Sequence, residues 1–114
     1  MSSLKEADIV RAILRYLKTV PNCFCWKEHG GMYGTAGIPD VIACIGGRFF
    51  AFEVKTEKGK ATALQESALR KIQKCGGNAA IVRSVEEVKR MLEIKNLTKT
   101  YHGGKIAVSN LSLD

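Results

Sequence analysis

Acidic residues are scarce in this 114-residue chain: 11 Asp and Glu stand against 18 Lys and Arg, leaving a formal net charge of +7. That imbalance favours a polyanionic partner, nucleic acid first. No apolar run is long enough to cross a bilayer, so no membrane role is expected. The stretch from Ser2 to Ala7 lacks an apolar signal core and runs straight into an amphipathic pattern carrying Lys5, Arg11, Arg15 and Lys18. No secretory leader is therefore expected, and the cytoplasm is the expected compartment. The cysteines, Cys23, Cys25, Cys44 and Cys75, have no C-x-x-C spacing. Cys23 and Cys25, two apart on one strand, are poorly placed to bridge, so free thiols are expected. His29 and His102 have no partner at metal-ligand spacing, which leaves them without an evident role in binding or catalysis.

What is present fits one modest domain, since 46% hydrophobic and 25% charged residues are close to the average for a globular protein. Ile9, Val10, Ile13, Leu14 and Leu17 repeat at helical spacing within Ser3 to Lys18, and Pro21 follows. Cys23 to Trp26 fits a short strand. Gly30, Gly31, Gly34 and Gly37 make the next stretch a loop able to approach a ligand closely. A hairpin follows over Ile38 to Thr56. Thr62 to Cys75 is expected to be a second helix with Leu64, Ala68, Leu69 and Ile72 inward and Gly76-Gly77 as its stop. Ala79 to Val82 is a short strand, and Ser84 opens a last helix through about Leu92, with Glu87 completing a capping box. The order is α-β-β-β-α-β-α, with neither repeat nor low-complexity segment before residue 93.

The hairpin carries the chemistry. A two-residue turn at Gly46-Gly47 pairs Ile45 with Arg48 and, counting outward, Asp40 with Glu53. The two carboxylates then share one face with Cβ atoms about 5 Å apart, and Lys55 points the same way. Beside Ile42, Ala51 and Phe49 they repel each other and lose hydration, so their ionised forms call for a cation. Oxygen ligands suit Mg²⁺ or Mn²⁺ better than zinc. Lys55 would orient or deprotonate an attacking water, or offset charge on a phosphate. A solvent-facing sheet with Lys55 paired to the acids is the plain alternative, weakened because Val41, Ala43, Phe50, Phe52 and Val54 make the other face apolar too.

Glu6 lies three and four residues before Ile9 and Val10, on the face expected to pack inward, although Ser3-x-x-Glu6 also reads as a capping box. Thr62-x-x-Gln65 poses the same choice, with the capping box ahead. Met32 and Tyr33, among the glycines, could approach a nucleic-acid backbone. Lys55, Lys58, Lys60, Arg70, Lys71 and Lys74 outnumber Glu57 and Glu66 in their segment and are candidates for phosphate contacts, or else form a solvated face.

Pro39-Asp40 followed by Glu53-Val54-Lys55 is similar to the PD-(D/E)xK nuclease signature. "EADIVRAILRYLK", "GIPDVIA", "GRFFAFEVKTEKGKATALQ" and "GGNAAIVRSVEEVKRML", in that order, resemble the stand-alone VRR-NUC nucleases over about residues 4–92. The resemblance implies an α/β, restriction-endonuclease-like α-β-β-β-α-β core with a mixed sheet flanked by helices. It implies a Mg²⁺- or Mn²⁺-dependent endonuclease in which Glu6, Asp40, Glu53 and the Val54 carbonyl hold metal, Lys55 is the catalytic lysine and Gln65 stands beside the site. It further implies a homodimer acting on branched DNA such as four-way junctions, in a bacterial or phage setting. A non-catalytic nucleic-acid-binding module is the alternative. The nuclease domain is expected over 1–93. The remainder, 94–114, resembles the opening strands of an ABC-transporter ATPase domain but has no G-x-x-x-x-G-K-[ST] loop, so no ATP binding is expected and a hairpin or disordered tail is.

Overall fold

The computed structural model describes residues 5–29 and 34–95. Within them the order is α1 (Glu6–Leu17), β1 (Cys23–Lys27), β2 (Val41–Ile45), β3 (Arg48–Val54), α2 (Ala63–Lys74), β4 (Asn78–Val82) and α3 (Val85–Ile94), the α-β-β-β-α-β-α succession read from the sequence. Met32, Tyr33 and all of the expected tail except Ile94 and Lys95 lie outside the described residues.

Each element starts and stops for a local reason. Gly46 and Gly47 both take left-handed backbone, with φ of 57° and 85°, as a two-residue hairpin turn between right-twisted strands requires. The resulting register pairs Ile45 with Arg48 and Val41 with Phe52, as counted from the turn. At α2, the Thr62 hydroxyl accepts from the Gln65 amide at 3.2 Å and the Gln65 Oε1 accepts from the Thr62 amide at 2.9 Å, the reciprocal cap that was expected. Gly76, with φ of 94°, ends that helix in the left-handed region. At α3 the Ser84 hydroxyl accepts from the Glu87 amide at 3.2 Å, but Glu87 returns to Arg83 N at 2.8 Å, one residue earlier than a capping box places it.

Two further expectations from the sequence do not hold. The carboxylate that caps α1 is Asp8, which accepts from Lys5 N at 3.3 Å, and Glu6 is exposed where the inward face was expected. Leu64 is 61% exposed, so the inward face of α2 is carried by Leu69, with Ala68 and Ile72 half-buried.

The sheet order is β1-β2-β3-β4, with β1, β2 and β3 antiparallel in succession and β4 parallel to β3 after the α2 crossover. The two faces are covered unequally. On one, α1 and α3 bring Ile9, Ile13, Leu17, Val88 and Leu92 onto Val41, Ala43, Phe50, Phe52 and Val54. Each large apolar side chain buried there contributes about 1.5–3 kcal/mol, which makes this the main core. On the other, α2 packs on β4, and the cluster is small: Ile42, Ala51, Leu69 and Ala79, with Ile72 and Ile81 beside them. Among the described residues nothing covers the β1 side of that second face, and Phe24 is 70%, Trp26 41% and Phe49, on β3, 43% exposed. All four cysteines are free thiols. Burial raises the Cys23 thiol to about 12, with Cys25 and Cys44 adding to the shift, so at neutral pH it is an inert neutral group. Among the described residues no helix is long and apolar enough to cross a membrane.

Candidate active site

The hairpin register carries one step beyond the paired strands, because Asp40 precedes Val41 and Glu53 follows Phe52, the residue opposite Val41. Asp40 Oδ2 accepts from Val54 N at 2.8 Å, which fixes its carboxylate against the strand that bears Glu53. Glu53 belongs to the α2 side of the sheet, since its neighbour two residues back, Ala51, packs in the smaller cluster. It is 1% exposed, and Lys55 is buried with it at 8%. Lys55 Nζ stands 3.5 Å from Glu53 Oε2, while Glu53 Oε1 is buried without a hydrogen-bond partner.

The electrostatics follow from this crowding. Burial first, and the neighbouring Asp40 second, push the Glu53 carboxyl up to about 7 against an opposing pull from Lys55. Lys55 therefore does not fully compensate the pair, and the orphaned Oε1 marks an unmet demand for a positive charge or a donor. The expected facing of Asp40, Glu53 and Lys55 is met by this arrangement. Among the described residues no three of His, Cys, Asp and Glu form a metal-ligating group. Glu6 stands exposed on α1, the helix that covers the opposite face of the sheet.

Compared with known proteins, the chain matches the family model of the archaeal Holliday junction resolvases (Hjc) over residues 28–111, more than half its length. The chain belongs to the Hjc family. Two solved structures share its fold. One, a VRR_NUC domain protein, is 19% identical with a TM-score of 0.67, over 81% of this chain and 88% of that one. The other, a VRR_NUC domain, is 22% identical with a TM-score of 0.66, over 77% and 94%. No curated protein matches the chain. The restriction-endonuclease-like architecture expected from the VRR-NUC resemblance is the one found, and Hjc membership places the chain among nucleases.

The Hjc match includes Asp40, Glu53, Lys55 and Gln65 and begins after Glu6. Gln65, besides capping α2, lines a cleft of about 600 Å³ together with Asp40, Trp26, Glu28, Ile42 and Phe49. Gly37 also lines that cleft, and its backbone leaves no room for a side chain. An added Cβ would lie 2.5 Å from the Leu64 carbonyl oxygen, and φ is already +80°. Lys58, Lys60, Arg70, Lys71 and Lys74 are all exposed, free to meet phosphates or solvent. Two residues escaped the sequence reading. Glu28, whose amide donates to the Asp40 carbonyl at 2.8 Å, extends the β1–β2 register by one pair and so lies in the same row as Asp40 and Glu53. Arg83 Nη1 donates to the carbonyls of Thr56 at 2.5 Å, Gly59 at 2.7 Å and Glu57 at 3.3 Å, pinning the loop that follows Lys55. Neither had a local signal, because both depend on which strand lies beside which.

Proposed function

We propose that this Hjc-family chain is a divalent-metal-dependent DNA endonuclease that hydrolyses phosphodiester bonds and selects branched DNA such as four-way junctions. The observation that carries this is the buried Glu53 carboxylate with Asp40 beside it, Lys55 Nζ at 3.5 Å and one oxygen without a partner. Burying Glu53 beside a half-buried Asp40, with one lysine for the two, costs stability unless a further cation offsets them. The donors are all oxygens, which fits Mg²⁺ or Mn²⁺. Asp40, Glu53 and the Val54 carbonyl would hold the ion, with Glu6 as the further carboxylate that the VRR-NUC resemblance implies. When bound, it supplies Lewis-acid stabilisation of the charge that builds on the phosphate.

The chain's own residues do the rest. Asp40 is locked by Val54 N, so the ligand geometry is set before substrate arrives. Lys55 orients the attacking water and offsets negative charge as the new P–O bond forms and the bond to the leaving sugar oxygen breaks. Gln65, at the cleft, positions the substrate, and Lys58, Lys60, Arg70, Lys71 and Lys74, with Tyr33, take the phosphates on either side. A homodimer presents two such sites related by two-fold symmetry, as a four-way junction requires if two equivalent strands are cut. Residues 1–93 form the nuclease unit, and ATP has no part in it.

The test is incubation of the protein with labelled four-way junction, flap and linear duplex DNA, in Mg²⁺, in Mn²⁺ and in chelator, alongside Asp40→Ala and Lys55→Ala. Metal-dependent cuts, strongest on branched DNA and lost in both variants, are expected. Binding without cutting under every metal condition would instead make the chain a non-catalytic nucleic-acid-binding module.

A further inference from the structure

The cleft beside Asp40 has a wall that phosphodiester hydrolysis does not use. Trp26 and Ile42 are cross-strand partners, and Ile42 pairs in turn with Ala51, so the indole continues past the edge of α2 a row whose other members, Ile42 and Ala51, are buried beneath Leu69, and Ile42 and the indole both line the cleft. One residue pair further along lies the acidic row of Glu28, Asp40 and Glu53. The indole is 41% exposed yet held in place, because its Nε1 donates to Glu28 Oε1 at 2.9 Å and the Phe24 ring sits 5.4 Å away on its other side. Phe49 and Ile72 add apolar surface opposite, and Gln65 brings an amide to the rim.

A phosphate is a poor occupant of this cleft, since Glu28 and Asp40 both face it. A neutral planar ring suits it, being indifferent to those carboxylates and able to stack on indole. At about 600 Å³ the space is within the range of small-ligand clefts and holds a base with its sugar. We propose that this cleft is a nucleobase pocket, in which an unpaired base next to the scissile phosphate stacks on Trp26 while Glu28 acts as a positioning residue that fixes the indole. The pocket deepens the nuclease reading and rests on it for the neighbouring phosphate: a strand is admitted to the carboxylates where a base can leave its stack, as at a branch point. Paired bases inside a continuous duplex cannot enter without the cost of unstacking.

The chain has a single tryptophan, so its fluorescence reports this cleft alone. The full chain is titrated in chelator, where no cleavage is needed, with a short single-stranded oligodeoxynucleotide, with an abasic strand of the same length and charge, and with blunt duplex. Expected is quenching by the base-bearing strand and much weaker quenching by the other two. Fluorescence anisotropy of the labelled single strand should show a loss of affinity of about tenfold for Trp26→Ala, an intermediate loss for Trp26→Phe, which keeps a ring to stack on but cannot donate to Glu28, and a similar intermediate loss for Glu28→Ala that Glu28→Gln restores, since the amide oxygen still accepts from the indole. Equal quenching by the abasic strand, or unchanged affinity in Trp26→Ala, would overturn the pocket whatever the nuclease assay gives. Base-dependent quenching in a protein that cuts nothing in any metal would leave the pocket standing and defeat the nuclease reading instead.

Discussion

Glu53→Gln should stabilise the metal-free protein at alkaline pH while abolishing its response to metal. In the folded chain the Glu53 carboxyl titrates at about 7, against an ordinary value of 4.5, chiefly because it is buried and secondarily because Asp40 is beside it. Below pH 4.5 both folded and unfolded chains hold the proton, and Glu53 imposes no penalty. Between 4.5 and 7 the unfolded chain gives up its proton first, so stability falls as pH rises, and above 7 the full cost is present. A shift of that size corresponds to about 3 kcal/mol. The attraction of Lys55 is already contained in that value, so Gln, which stands in for the protonated carboxyl, recovers close to all of it. The net expectation is a variant about 3 kcal/mol more stable than wild type at pH 8 in chelator, a rise of roughly 12–24 °C in Tm for a domain of this size, with the gain shrinking toward zero by pH 4.5. Urea unfolding of both proteins at pH 5 and pH 8, with chelator and with Mg²⁺ or Mn²⁺, measures it. Metal should stabilise wild type more at pH 8 than at pH 5, because ligation needs both carboxylates deprotonated, and should leave Glu53→Gln unmoved. A variant less stable than wild type at pH 8 in chelator, or a gain independent of pH, would refute the picture of a buried carboxylate that Lys55 does not fully compensate.

Gly37→Ala should destabilise the protein by at least about 1–2 kcal/mol from the positive φ alone, with the approach to the Leu64 carbonyl adding to it. Because the loop leading into Asp40 must move, cleavage should fall more than stability does, a comparison that thermal melts and single-turnover assays make. Arg83→Leu removes three hydrogen bonds to the carbonyls of Thr56, Glu57 and Gly59 and should cost about 2–3 kcal/mol. Hydrogen exchange over 56–60 should speed up in that variant while exchange in β2 stays slow, and uniform acceleration throughout the chain would contradict the local role. Removal of 96–114 should leave junction cleavage intact if residues 1–93 are the nuclease unit, and a truncated chain that folds but no longer cuts would show the tail to be required.

Where the chain reaches its partner within a few residues, the sequence was enough. The Gly46-Gly47 turn has one compatible register, and that register places Asp40 beside Glu53 and sends Lys55 to the same face. The Thr62–Gln65 cap and the Gly76 stop are equally local, set by side chains and backbone a few bonds apart. Glu6 shows where such reading ends: helical periodicity placed it with Ile9 and Val10, but at the first turn of α1 a residue can face solvent beyond the edge of the sheet it was expected to meet. Only the tertiary structure decided that β1 would lie beside β2, which brings Glu28 next to Asp40 and Trp26 next to Ile42 across a connection of more than a dozen residues. It also decided that α2 would pack on β4 and leave Phe24 and Trp26 of β1 exposed on that face. Strand order and helix placement are settled by which non-local burial outweighs the entropy of closing long loops, a competition that no short stretch of sequence records.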